Sequence, residues 1–267
     1  VYIHPGTESN TSCRSNGSTW ICDEIEAGFY GTEVQLSMTT SDTAGISYYD
    51  SAMDALMYAY PPSLSIYHPN CGPKTALDDF TWRCIEIDQG PGADKIDPVI
   101  SMDMGPGNVA QIAYLYDVSA DTNRTLKTAK FVSSGGNCGQ DYRFISTPPY
   151  SELIFRWQCT TITVIDYDSP YIAGLPSLKI DPQGFAIIAY AQDHGGPVSL
   201  NLTYPAQRIG GPVGSYSFEE IDLPVDTTLE LALNSAGLGL IGYKEKYVSG
   251  EFRIAWQQFS LHLPLVR

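Results

Sequence analysis

The sequence predicts an all-β chain folded as one domain, and three observations point there. Its 18 tyrosines, 24 glycines and 18 prolines favour strands and turns over helices. No long window carries apolar residues at i, i+3, i+4 and i+7, so helix should be scarce. The third observation is a repeat: Ser101–Tyr114, Ser177–Tyr190 and Glu230–Tyr243 share one register without a gap. Leu36–Tyr49 reads as a further copy, about two residues shorter in its turn. A period of roughly 55 to 75 residues made of four strand-like pieces marks a propeller blade. The expected fold is therefore a four-bladed β-propeller filling residues 1–267.

Taken in order, the repeats span about residues 20–80, 81–155, 156–215 and 216–256, with a tail over 257–267. Each supplies four strands: an inner one of the SLKID type, then IAY, then LxYA, then an outer W-x-C strand. The outer strands are Thr19–Glu26, Thr81–Asp88, Trp157–Asp166 and, with Tyr216 for Trp and Phe218 for Cys, Tyr216–Asp222. Asp181-Pro182-Gln183-Gly184, Asn234-Ser235-Ala236-Gly237 and Gly105-Pro106-Gly107-Asn108 are hairpin turns. Pro61–Phe80 and Ser133–Arg156 are long connections that make the repeats unequal. Counted from Leu36, three blades are complete, and the fourth (Leu229–Trp256) has three strands before the tail. Trp20–Ile25 is the right type to close it.

The string W-x-C-x-x-x-I-D, then S-L-x-x-D-x-x-G-x-x-x-I-A-Y, then L-x-Y-A resembles secreted bacterial β-propeller repeats. Such repeats carry a Cys-Gly shortly before the tryptophan, as Asn70-Cys71-Gly72 and Asn137-Cys138-Gly139 do here. The resemblance covers nearly the whole chain and implies a propeller and an exported protein, without implying an activity.

The repeat also pairs the six cysteines as Cys13–Cys22, Cys71–Cys84 and Cys138–Cys159, each joining a W-x-C strand to the loop upstream. The fourth repeat lacks both partners together, as bonded pairs should. Three bridges place the protein in an oxidising setting, extracellular or periplasmic. A chain beginning at Val1 without Met also reads as a processed secreted protein. Sequons at Asn10, Asn16, Asn123 and Asn201 are candidate glycan acceptors, the first three in expected loops and Asn201 in a strand.

Catalytic chemistry is not expected. His4, His68, His194 and His262 follow no metal spacing, and no G-x-S-x-G elbow occurs. Ile180–Gly184 resembles part of the Asp-box turn of sialidases, which is structural even there, and the arginines such an enzyme needs are dispersed. A net charge of −15 argues against nucleic acid as a partner. No apolar run approaches the roughly 18 residues of a membrane-spanning helix. No cofactor is expected, with one weak exception. Asp50, Asp117 and Asp193 each follow a Tyr strand and would suit Ca²⁺ if they converged. Turn capping is the preferred reading. Trp20, Trp82, Trp157 and Tyr216 would be either sugar-stacking aromatics or blade packing, and packing is preferred.

Two functions follow: a structural or adhesive extracellular building block, or a carbohydrate-binding or glycan-processing propeller. The first rests on strands left over at the ends. Val1 and Ile3 alternate with polar neighbours, and Phe259, Leu261, Leu263 and Leu265 line one apolar face. Pairing with a copy of the same chain would cover both edge and face, and the alternative for the tail is to fold back as the fourth outer strand of its own last blade.

Overall fold

The computed structural model describes residues 12–15, 18–21, 31–41, 43–61, 70–74, 80–89, 95–117, 123–144, 151–166, 176–192, 198–222, 225–245 and 251–256. Strands dominate them, interrupted by 3₁₀ turns at Pro106–Asn108 and Ala206–Ile209, and no α-helix occurs among the described residues. A hairpin of β1 (Ser12–Ser15) and β2 (Ser18–Ile21) comes first. Blade 1 contains β3 (Gly31–Met38), β4 (Ala44–Asp50), β5 (Ala55–Tyr60), β6 (Cys71–Lys74) and β7 (Phe80–Gln89). Blade 2 contains β8 (Lys95–Gly105), β9 (Val109–Asp117), β10 (Asn123–Phe131), β11 (Cys138–Phe144) and β12 (Ser151–Asp166). Blade 3 contains β13 (Ser177–Ile180), β14 (Ala186–Gln192), β15 (Ser199–Pro205) and β16 (Tyr216–Asp222). Blade 4 has β17 (Val225–Leu233), β18 (Gly239–Glu245) and β19 (Phe252–Trp256). The four antiparallel sheets stand in a ring, a four-bladed propeller.

From the inside out the strands run β3-β4-β5-β7-β6 in blade 1 and β8-β9-β10-β12-β11 in blade 2. The inner, IAY, LxYA and W-x-C order is as expected. The long connections, however, hold a further outermost strand, β6 or β11. Register also corrects the reading of the first copy. Leu36 pairs with Ile46, Met102 with Ile112, Leu178 with Ile188 and Leu231 with Ile241, the same separation in every blade. The first copy is therefore not shorter. Leu36 takes the place of Met102 rather than of Ile100, and Tyr48 that of Tyr114 and Tyr243.

Local chemistry explains the inner hairpins. Asp181 Oδ1 accepts the N–H groups of Gln183 and Phe185, and Asn234 Oδ1 those of Ala236 and Leu238, so each closes its own turn. The turn then needs a left-handed residue, supplied by Gly184 at φ 88° and Gly237 at φ 78°. The closing strand expected at Trp20–Ile25 is described as far as Ile21. There it pairs with β1 in a sheet of its own, and β19 ends the sheet of blade 4.

Candidate assembly site

Alternation along each strand sends one set of side chains to the preceding blade and the other to the following one. Three seams built this way are sealed. Between blades 1 and 2, Tyr49, Leu56, Ile85 and Ile87 pack with Ile100, Met102, Ile112, Tyr114 and Trp157. Trp157 is fully buried and meets the rings of Tyr58 and Phe131 edge-on, at 5.0 and 5.4 Å between centroids. At the rim of this seam the Asp141 carboxylate, 1% exposed, accepts from Arg83 of blade 1 and, at 3.1 Å, from Arg156 of its own blade. Arg156 also donates to the Tyr60 hydroxyl and lies 4.6 Å from the Phe131 ring centre. Burial pushes the Tyr60 phenol up, and the Arg156 guanidinium pulls against it. Further in, Asp88 accepts from Tyr114 and Lys127 of blade 2. Burial first and the Asp88 carboxylate second hold the Tyr114 phenol well above its usual range.

The next two seams share one device. Ser101 Oγ accepts the N–H of Leu178, and Ser177 Oγ that of Leu231, so the inner strand of one blade hooks the inner strand of the next. Val99, Leu115 and Leu126 meet Leu178, Ile188 and Tyr190 between blades 2 and 3. Ile187, Ala189 and Leu202 meet Leu229, Leu231, Ile241 and Tyr243 between blades 3 and 4. Arg208 ties that last seam by donating to Asp181 at 3.0 Å and to the carbonyl of Gly237.

The fourth seam is built differently. Because Ile241, Tyr243 and Ala255 face blade 3, the residues between them face away from it. Leu240, Phe252, Ile254 and Trp256 are 42%, 79%, 66% and 67% exposed. On blade 1 the inner-strand residues turned away from blade 2 are open too: Val34 is 40%, Leu36 51% and Met38 50% exposed. Among the described residues blade 4 has three strands, with β19 at its edge. An apolar face beside a strand edge is an arrangement that proteins seldom leave in water.

Disulfides staple the outer strands of the complete blades. Cys71 is bonded to Cys84 and Cys138 to Cys159, each with 5.9 Å between Cα atoms. Both bridges sit in one frame: Cys71 lies opposite Trp82 and Cys138 opposite Trp157. The backbone of the first hairpin repeats it, with Cys13 opposite Trp20. Cys22 lies outside the described residues. Asn70 and Asn137, just before the first cysteines, clasp the W-x-C strand, each donating to and accepting from the backbone of Cys84 or Cys159.

Other expected sites fare unevenly. Trp82 and Trp157 are core, not sugar platforms. Asn201 does not fit as a glycan acceptor. It is 7% exposed in the middle of β15, and its Nδ2 donates to Ser199. Asn123 opens β10 opposite Asp166 and is not in a loop. With Tyr48 as the true repeat position, Asp50 and Asp117 are not equivalent, so the ring of acids does not form. Asp50 instead caps its turn by accepting from Ala52 and Met53. Asp193, Asn10, Asn16, the four histidines and the terminal residues Val1, Ile3, Phe259, Leu261, Leu263 and Leu265 lie outside the described residues. No helix among the described residues is long and apolar enough to cross a membrane.

These features define a class: a disulfide-stapled four-bladed propeller whose last blade has three strands among the described residues. No protein-family model and no curated protein matches the chain.

Proposed function

We propose that the protein is an extracellular structural or adhesive building block that assembles head to tail with copies of itself. One observation carries the reading: among the described residues β19 has a strand on one side only and an exposed apolar face, while the equivalent strands of the other blades are paired on both sides. Burying that face against another chain removes apolar surface from water and satisfies the strand edge together. Donor and acceptor then sit at different places on the subunit, so each contact leaves another pair free and the assembly can grow into a filament. Two disulfides fit an oxidising compartment. The absence of expected catalytic motifs leaves recognition of its own kind as the main task, and glycans at Asn10, Asn16 or Asn123 would decorate the particle.

Light scattering coupled to size exclusion, followed by negative-stain imaging, tests this. The expected result is a mass that rises with concentration and elongated particles. A single-chain mass at every concentration overturns it.

A further inference from the structure

Blades 1 and 2 share a fine register that blade 4 has only in part. In blade 1, Ala59 of the third strand pairs inward with Ile46 and outward with Cys84. In blade 2, Ala129 pairs inward with Ile112 and outward with Cys159. In blade 4, Ala255 pairs inward with Ile241, the same repeat position, and has no strand outside it among the described residues. The alanine has a physical reason. The cysteine opposite carries a disulfide on the same face as the isoleucine, packed with Ala59 in one case and against the cluster of Ala129 and Trp157 in the other. A larger side chain would take the bridge's space. Blade 3 shows the converse: where Phe218 replaces the cysteine, the residue opposite is Thr203.

Ala255 therefore keeps room for a bridge that its own blade does not contain. That room is visible. A cavity of about 220 Å³ lies beside β19 between blades 3 and 4, lined by Leu202, Glu219, Ile221, Ile241 and Ala255. The chain holds one hairpin in the matching frame, β1–β2, with Cys13 opposite Trp20. Among the described residues of the same molecule that hairpin pairs only within itself, and no strand pairs with the outer edge of β19.

We propose that the β1–β2 hairpin of one copy docks on β19 of the next, with Cys22 opposite Ala255 and the Cys13–Cys22 bridge that the repeat predicts seated in that cavity. Blade 4 then acquires the five-strand order of blades 1 and 2. This inference rests on the self-assembly reading and names its donor, its acceptor and their register.

The register sets the test. Tyr60 lies opposite Arg83 and Lys130 opposite Gln158, so Trp256 should lie opposite Ile21. Full-length chains carrying Ile21→Cys and Trp256→Cys are mixed in a glutathione buffer, then mapped by non-reducing peptide analysis. The expected product is a covalent pair of one chain of each kind joined through positions 21 and 256, and a ladder from the double variant. Moving the acceptor cysteine to Arg253→Cys separates the Cα atoms beyond disulfide range, and the yield should fall at least about tenfold. An internal 21–256 bond in the double variant, with no mixed pair, overturns the proposal in favour of closure within one ring. Oligomeric wild type without any 21–256 bond overturns the donor but leaves self-assembly standing. Single-chain mass together with no bond overturns both.

Discussion

Strands β10 and β19 hold the same place in their blades, third from the axis, with Ala129 and Ala255 at the same register. Their surroundings differ. β10 is paired on both sides, to β9 and β12, and the disulfide of β12 packs over it. Among the described residues β19 is paired on one side, and three of its five residues are apolar and mostly exposed. The difference lies not in the strands themselves, which both carry good strand formers, but in what stands outside them. A blade becomes stable from its outer pair inward as much as from the axis outward, because the outer pair covers both the edge and the seam.

The sharpest way to break the sealed half is to remove its buried anion. Asp141→Ala leaves the guanidiniums of Arg83 and Arg156 facing one another at the rim of the first seam, which should cost about 3–5 kcal/mol in denaturant unfolding. Replacing Cys138 and Cys159 together with alanine should cost about 2–4 kcal/mol, since the bridge staples the outer pair and limits the unfolded chain. The open half should respond in the opposite sense. Ile254→Lys changes an exposed side chain, so single-chain stability should shift by no more than about 0.5 kcal/mol. The same change should abolish growth of the particle mass with concentration. The smallest expected effect is at Asn201: glycopeptide mapping should find it unmodified, because its amide is buried and bonded to Ser199.

Much of this was legible in the residues, and the misses have physical causes. The four-fold repeat gave the blades and their strand order because period-two alternation and turn chemistry are local signals. The outermost strands at Cys71–Lys74 and Cys138–Phe144 fall in stretches that read as loop, since CGPK carries Gly and Pro and shows no alternation. The cysteines themselves held the clue. A residue bonded to a W-x-C strand must lie beside it, and the adjacent position is another strand. The Tyr49-Asp50 pair resembles Tyr116-Asp117, but with Ile46 and Ile112 at one repeat position Asp50 stands level with Tyr116, so the ring of acids dissolves. The Arg83–Asp141–Arg156 cluster could not be read at all, because its members come from different repeats. The open seam was hidden for the opposite reason: Phe252, Ile254 and Trp256 alternate as any core strand does, and only the topology shows them uncovered.

Hydrogen exchange of β10 and β19 within one sample tests the central claim most directly. The account predicts that β10 amides are slow at every protein concentration. The β19 amides that do not bond to β18 should exchange fast in dilute single chains and slow to the level of β10 as the particle mass rises. Protection of β19 equal to that of β10 in the isolated chain would contradict it, because the last blade would then be complete without a partner.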